Sequence, residues 1–278
     1  MKFGLLLPNR GKPYGDVHLL LDLALLAEES GWDGWFIWDH IGGSGDSPCI
    51  DPWICLAGIA SRTNRMRLGT LVTPLARRRP WKVAREITTL DHLSHGRAVL
   101  GVGLGDMVNK DFGDFGEVTN PRARAEMLDE ALEIVTGLQA GKPFSFSGKH
   151  YSVSNALFFP VPVQSPRVPV WVAGCWPHKP PFRRAARWDG VVPIGAGVEP
   201  FPPGKIREMV NYVRKHRGDE SPLDVCLLGR TPGKDLKADR ATVASYVPAG
   251  LTWYLEAISS SRGSIKQMRE RIKAGPAR

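Results

Sequence analysis

The sequence lacks the features that mark several large classes of protein. It has four cysteines in 278 residues, and no two of them form a C-x-x-C pair, so neither a disulfide framework nor a zinc site is expected. The N-terminus, MKFGLLLPNR, has too short an apolar run for a signal peptide. No stretch approaches the roughly 20 apolar residues that a membrane helix needs. These absences predict a cytoplasmic protein with no membrane segment.

Signatures of nucleic-acid binding are also missing, although the formal net charge is +9. The basic residues are spread along the chain, and no helix-turn-helix, RNA-binding or zinc-finger pattern accompanies them. The charge mildly favours an anionic small ligand. A small-molecule substrate is therefore expected, and a nucleic-acid partner is not.

The glycine-rich stretch GRAVLGVGLGD, residues 96–106, matches neither of two nucleotide-binding motifs. A Rossmann turn has the spacing G-x-G-x-x-G and opens directly into a helix, whereas the spacing here is G-x-G-x-G. A Walker-type phosphate loop requires G-K-S/T after its last glycine, where this chain has Asp106. The stretch must therefore be interpreted from the pattern around it.

Short apolar runs alternate with helical patterns eight times along the chain. The runs are KFGLLLP, GWFIWDH, MRLGTLVTP, RAVLGVG, VPVWVAG, DGVVPIG, LDVCLLG and LTWYLEAI. Continuously apolar strands between amphipathic helices are typical of a parallel sheet that is buried on both faces. Eight such units predict an α/β fold, a TIM-type (β/α)8 barrel that spans residues 1–278 as a single domain. An open doubly wound sheet is the alternative.

One segment interrupts this repeat. Residues 141–168 are rich in proline and show hairpin-like alternation from 144 to 153. They are interpreted as an irregular insertion after the fourth helix of the barrel.

In such a barrel the active site forms at the C-terminal ends of the strands. Asp39 and His40 end the second predicted strand, and a histidine there can act as an acid, a base or a hydrogen-bond donor near neutral pH. The alternative is a structural pair in which Asp39 orients His40. After the third strand, Arg77–Arg79 are either a solvated run or an anion contact.

The fourth and fifth strands end in further candidates. Gly103 and Gly105 would let a flat ligand approach the backbone, and Asp106 is a candidate acid or base beside the amide of Asn109. After the fifth strand, the start of a helix near Pro180 could hold a phosphate, with charge added by nearby Lys179. Weaker candidates on the same face are Arg230, Lys234 and Arg262.

Three blocks of the chain resemble the bacterial luciferase-like flavin-dependent oxidoreductases. They are LALLAEESGWDGWFIWDH, RTNRMRLGTLVTPLARRRPWKVAREITTLDHLSHGRAVLGVGLG, and VPVWVAG with FRRAARWDGVV. The resemblance implies a TIM-type barrel that uses reduced FMN, supplied by a flavin reductase, and oxygen to monooxygenate a small organic substrate. One alternative is hydride transfer with the 8-hydroxy-5-deazaflavin coenzyme, and another is a flavin-binding protein without turnover. Because family members are often dimers, a homodimer is expected.

The resemblance and the strand-end rule together give a set of site residues. His40 and Asp106 are the candidate catalytic residues, and Leu71–Val72 matches a strand bulge, often with a non-proline cis peptide, that backs the flavin ring. The candidate cofactor contacts are Asp39, Thr70, Leu71, Val72, Gly103, Leu104, Gly105, Asn109, Ala173, Gly174 and Cys175.

The sequence departs from the pattern of the family in two places. The deazaflavin sugar-phosphate dehydrogenases of the family carry a tryptophan soon after the histidine, whereas IGGSGD has none. Members that use FMN often supply Ser or Thr hydroxyls to the phosphate near the fifth strand, whereas CWPHKPP offers few. The substrate chemistry is therefore not implied by the resemblance.

Overall fold

The computed structural model describes residues 1–42, 47–105, 110–195 and 201–278. Its strands are β1 (Lys2–Leu7), β2 (Gly34–Ile37), β3 (Arg67–Pro74), β4 (Ala98–Gly103), β5 (Phe144–Ser147), β6 (Ser152–Ala156), β7 (Val170–Cys175), β8 (Gly190–Ile194), β9 (Asp224–Gly229) and β10 (Trp253–Ala257). Its helices are α1 (Val17–Glu29), α2 (Pro52–Ala60), α3 (Pro80–Leu93), α4 (Lys110–Gly113), α5 (Pro121–Leu138), α6 (Lys179–Ala185), α7 (Pro203–His216), α8 (Leu236–Ala244) and α9 (Ile265–Lys273).

Eight of the strands form a closed parallel barrel. Around the ring their order is β1-β2-β3-β4-β7-β8-β9-β10, and β10 pairs with β1 to close it. The predicted (β/α)8 barrel is therefore confirmed. The remaining two strands, β5 and β6, pair antiparallel with each other outside the barrel. They form the hairpin that the sequence predicts within the insertion at 141–168.

Side chains alternate between the lumen of the barrel and the helices around it, because successive residues of a strand point to opposite faces. Phe36, Trp171 and Trp253 fill the lower lumen, with ring centroids 5.0 to 5.9 Å apart. The outward-facing residues join the helices in one large apolar core. Aromatic side chains thus form a packed plug in the lower lumen, and a ligand would bind above it, at the C-terminal end of the barrel.

Helix starts are set by local capping. The side chain of Asp51 accepts a hydrogen bond from the N–H of Ile54 at 2.8 Å, and Pro52 occupies the first position of α2. Such a cap satisfies a helix donor that has no partner within the helix. Across the four described ranges, no helix is long and apolar enough to cross a membrane.

Candidate active site

The C-terminal end of the barrel is apolar and partly open. Above the aromatic plug, Trp38, Val72 and Leu228 pack against the lumen cluster but are only half-buried. Cys175, at the end of β7, is exposed. We call the space bordered by these four side chains and His40 the mouth. Its composition suits a flat ligand with a largely apolar face.

His40 is paired with a carboxylate at the mouth. Its Nδ1 hydrogen-bonds to Oδ2 of Asp111, and the two side chains are 15% and 5% exposed. The N–H of Gly42 donates to the other oxygen of Asp111 at 3.3 Å. Trp38 meets the imidazole edge-on, with centroids 5.7 Å apart. A carboxylate on Nδ1 fixes the orientation of the imidazole ring, as in the histidine–carboxylate pairs of acid–base sites.

Asp111 is held in place by its neighbour. Phe112 is fully buried, and the guanidinium of Arg124 lies 4.3 Å from its ring centroid. This anchor fixes the four-residue helix α4 beneath the loop that follows β2. Sequence reasoning missed Asp111 and selected Asp106, which lies outside the described residues. The sequence does show Asp111 as a further carboxylate after the fourth barrel strand. However, a helix of four residues, such as α4, is too short to give a helical pattern in the sequence.

Asn9, just after β1, was also missed as a site residue. Its side-chain N–H groups donate to the carbonyls of His40 at 2.7 Å and Ile50 at 2.8 Å, and its Oδ1 accepts from the N–H of His40 at 3.2 Å. The side chain is fully buried. Asn9 therefore clamps the backbone of His40 on both sides.

Asp39 lies in a buried ionic cluster. Its carboxylate pairs with Arg77 at 3.1 Å and with Arg78 at 2.8 Å, and it accepts hydrogen bonds from Thr73 and Trp53. Burial alone would raise the pKa of Asp39, but the guanidiniums of Arg78 and Arg77 hold that pKa below its usual value. Asp39 is thus ionised and structurally engaged.

This cluster corrects the interpretation of the arginine run. Arg77 and Arg78 are neither solvated nor presented to an anionic ligand, because both pair with Asp39 inside the protein. Arg79 is exposed, as the solvated interpretation expects. Thr70 is also buried, and its hydroxyl shares a hydrogen bond with the hydroxyl of Thr73 at 2.7 Å. Direct contact of Asp39 or the Thr70 hydroxyl with a cofactor would break these bonds. The geometry therefore favours the alternative in which Asp39 supports the segment that carries His40.

The predicted bulge lies where β3 and β4 pair. The register shifts between Thr70 and Thr73, and the peptide bond between Leu71 and Val72 is cis. Leu71 is buried in the lumen cluster, and Val72 is half-buried at its upper edge. That these two residues back a cofactor ring stays a prediction.

The glycines in β4 and just after it serve different purposes. A Cβ at Gly101 would lie 2.2 Å from the carbonyl oxygen of Thr70. The bulged strand β3 can therefore pack this close to β4 only because residue 101 has no side chain. At Gly103 a Cβ would meet Val72 at 3.1 Å. Gly105 has a φ of +81°, and Phe112 and Pro74 fill the space beside it. Gly105 is therefore explained by turn and packing, while Gly103 borders the mouth. Leu104 packs its side chain outward, against the main core.

The end of β7 offers less to a phosphate than the sequence suggested. Pro180 and Pro181 occupy the first turn of α6, where they remove two N–H donors. The ammonium of Lys179 lies 3.6 Å from the ring centroid of Trp176. A Cβ at Gly174 would meet Pro181 at 2.2 Å, so that glycine serves helix packing. These contacts do not favour a phosphate at this helix start, and the phosphate site there stays a prediction.

The remaining residues of the predicted set divide in two. Ala173 faces the lumen cluster and is buried, below Cys175 at the mouth. Asp106 and Asn109 lie outside the described residues. Their predicted roles, as catalytic acid or base and as cofactor contact, stay predictions.

Comparison with known proteins agrees with this geometry. The family model for luciferase-like monooxygenases matches residues 1–271. The chain belongs to this family. An F420-dependent glucose-6-phosphate dehydrogenase from Microbacterium testaceum is 37% identical over 169 residues, which cover 57% of this chain and 47% of the relative. The chain thus matches about half the length of that relative.

Two solved structures show the same fold with different cofactors. An F420-dependent secondary alcohol dehydrogenase, in complex with an F420-acetone adduct, has a TM-score of 0.78 and 18% identity, and the match covers 98% of this chain and 97% of the other. The oxygenating constituent of a 3,6-diketocamphane monooxygenase from Pseudomonas putida, in complex with FMN, has a TM-score of 0.66 and 18% identity, with 87% and 70% covered. At these identities the likeness shows the fold alone.

Proposed function

We propose that this protein transfers a hydride between a deazaflavin coenzyme and a small alcohol or carbonyl compound. The observation that carries the proposal is the His40–Asp111 pair beside an apolar mouth. Oxidation of an alcohol to a carbonyl releases a proton as well as a hydride, so a site for it needs a base at the substrate oxygen. The relative with 37% identity, an F420-dependent dehydrogenase, supports the same class of reaction.

The residues at the mouth fit a flat tricyclic ring. Val72 and Leu228 provide apolar surface at the barrel end, and Gly103 leaves the space beside Val72 without a side chain. When bound, the coenzyme supplies a carbon that accepts or donates hydride. Val72 and Leu228 would contact the ring, and Trp38 would exclude water from one side.

His40 exchanges the proton in this proposal. Its Nε2 takes the proton from the substrate hydroxyl as the alcohol is oxidised, and returns it to the carbonyl oxygen in the reverse direction. Asp111 on Nδ1 stabilises the imidazolium that forms. Asn9 holds the His40 backbone, so the ring keeps its position while its charge changes.

Monooxygenation with reduced FMN is the second candidate. It is the first expectation from the sequence, and the fold is shared with a monooxygenase in complex with FMN. A flavin reductase partner would accompany this chemistry. That partner, a homodimer and the location in the cytoplasm stay predictions.

Equilibrium titration separates the two cofactors. The protein is titrated with the deazaflavin coenzyme and with FMN, each in oxidised and reduced form, while ligand fluorescence is followed. Binding of the deazaflavin coenzyme at least tenfold tighter than FMN would support the proposal, and a preference for FMN would contradict it. The variant Gly103→Ala, which adds a methyl group beside Val72, is expected to lower the affinity for the ligand that binds more tightly.

A further inference from the structure

A buried arginine lies beside the segment that carries Asp111. Arg124, the fourth residue of α5, is 1% exposed, and the central carbon of its guanidinium lies 4.3 Å from the ring centroid of Phe112. A guanidinium over an aromatic face is attracted by the negative face of the ring. Because burial of a charge is costly, an apolar side chain would fill this space at a lower cost in free energy. The planar, charged group therefore serves more than packing.

The backbone that carries Arg124 is fixed independently of the mouth. The side chain of Asn120 accepts hydrogen bonds from the N–H groups of Arg122 and Ala123, both at 3.0 Å, and so caps the start of α5. Further along, the apolar residues of α5 are buried in the main core. Arg124 thus extends from a helix whose position does not depend on a ligand.

Phe112 is held at its face and at its edge. The guanidinium described above covers the face. At the edge, a Cβ added to Gly105 would lie 2.9 Å from a ring carbon of Phe112 and equally close to Pro74. The carbonyl of Phe112 also accepts hydrogen bonds from the N–H groups of Phe115 at 3.2 Å and Glu117 at 2.9 Å. The ring and the backbone of this one residue therefore organise the segment around α4.

Asp111 directly precedes Phe112, and both of its carboxylate oxygens are engaged. One bonds to Nδ1 of His40, and the other accepts from the N–H of Gly42 at 3.3 Å. Helix α4 has only four residues, so its own hydrogen bonds cannot hold this geometry. The position of the carboxylate therefore depends on the side chain of Phe112 and on the guanidinium that covers it.

We propose that Arg124 is a positioning residue for proton transfer at the mouth. By holding Phe112, it keeps Asp111 in place and thereby sets the orientation of the imidazole of His40. This positioning is a property of the chain alone, whereas its effect on turnover rests on the proposed hydride transfer. A lysine at position 124 would keep the charge but not the planar group that stacks on the ring.

Kinetics of hydride transfer provide the first test. Arg124→Met removes the charge and the planar group but keeps a long side chain, and it should lower kcat about 10- to 100-fold, because small displacements of catalytic groups have effects of that size. KM for the coenzyme should change less than about twofold, since the residues that would contact its ring are unaltered. Arg124→Lys should recover part of the loss. Equal kcat for Arg124→Met and the parent protein would overturn the proposal.

The matched control is Arg167→Met. Arg167 lies 5.0 Å from the ring centroid of Trp188 and pairs with Asp189, just before β7 and so at the opposite end of the barrel from the mouth. The control loses a comparable contact between a guanidinium and a ring, and it should keep the kcat of the parent protein. An equal fall in kcat in both variants would show a general effect of destabilisation and would also overturn the proposal.

A double-mutant cycle tests whether Arg124 acts through Asp111. In the Asp111→Asn background, Arg124→Met should lower kcat by less than about twofold, because the interaction that Arg124 supports is already lost. If the two substitutions together lower kcat by the product of their separate effects, Arg124 acts independently of Asp111 and the proposal fails.

Proton NMR of the chain without coenzyme tests the same positioning without turnover. An imidazole N–H that donates to a carboxylate resonates far downfield, and loss of the signal in His40→Ala assigns it to His40. The signal should shift upfield or disappear in Arg124→Met and persist in Arg167→Met. Phe112→Leu, which removes the aromatic face, should have the same effect and replaces Arg124→Met if that variant does not fold. A parent protein without turnover would contradict the proposed function only, and an unchanged signal in Arg124→Met would overturn the role of Arg124.

Discussion

Each side chain at the mouth is held by partners from distant parts of the chain. Asp111 is 71 residues from His40 in sequence, and Asn9 is 31 residues away on the other side. Arg77 and Arg78 reach Asp39 over nearly 40 residues. The position of the imidazole is thus fixed by three separate loops. Removal of one partner should change the chemistry before it changes the fold.

Substitution of His40 and Asp111 tests their assigned roles. His40→Ala should lower kcat for hydride transfer about 100- to 10,000-fold, because a positioned general base contributes about that much. Asp111→Asn should lower kcat less and change its pH dependence, since the imidazolium loses its counter-charge. Steady-state kinetics across pH measures both effects. The control His18→Ala, an exposed histidine of α1, should leave kcat unchanged, and an active His40→Ala protein would contradict the assignment.

Substitution of Asp39 should affect stability most. Asp39→Asn removes the counter-charge of Arg77 and Arg78 inside the protein and should lower the free energy of unfolding by about 3 to 5 kcal/mol. Urea unfolding measures this, with Asp114→Asn, an exposed aspartate, as the control. Equal midpoints for the two variants would contradict a structural role for Asp39.

The stabilising effect of Asp39 should also depend on pH. Because the pKa of Asp39 is lower in the folded than in the unfolded protein, its contribution is fully present above the unfolded pKa of about 3.9. It is lost as pH falls through the lower, folded pKa. The difference in unfolding free energy between the parent protein and Asp39→Asn should therefore narrow below about pH 4 and stay constant near neutrality.

Among the elements, β3 and β4 bring the bulge and the glycines to the mouth together. The bulge moves Thr70 toward β4, where only a glycine at position 101 leaves room for its carbonyl. Two residues later, a Cβ at Gly103 would meet a side chain rather than backbone, a methyl group of Val72 at 3.1 Å. The alternating glycines of the sequence thus serve strand pairing first and the ligand space second.

This distinction predicts opposite outcomes for two similar substitutions. Gly101→Ala should destabilise the protein by about 3 kcal/mol or more, because the new methyl group would overlap backbone that cannot shift. Gly103→Ala should cost about 1 kcal/mol or less and act on ligand affinity instead. Urea midpoints and ligand titration measure the two effects. Similar destabilisation by both variants would refute the different roles.

At the scale of the whole molecule, the barrel could be predicted because its signal is repeated eight times. Apolar strands and amphipathic helices are local patterns, and the strand-end rule then selects His40 and Gly103. The same rule covers the stretch after β1 that holds Asn9, but it gives no reason to choose Asn9 or Asp111, because their roles arise from packing between loops. The lack of N–H donors at Pro180 and Pro181 was visible in the sequence and was overlooked.

The most direct test of the central claim is turnover without oxygen. The protein is incubated anaerobically with oxidised deazaflavin coenzyme and a panel of secondary alcohols and sugar phosphates, and loss of coenzyme absorbance is followed. The proposal predicts reduction of the coenzyme by at least one substrate, at a rate that His40→Ala lowers at least 100-fold. Turnover found only with reduced FMN and oxygen, and none under anaerobic conditions, would contradict it.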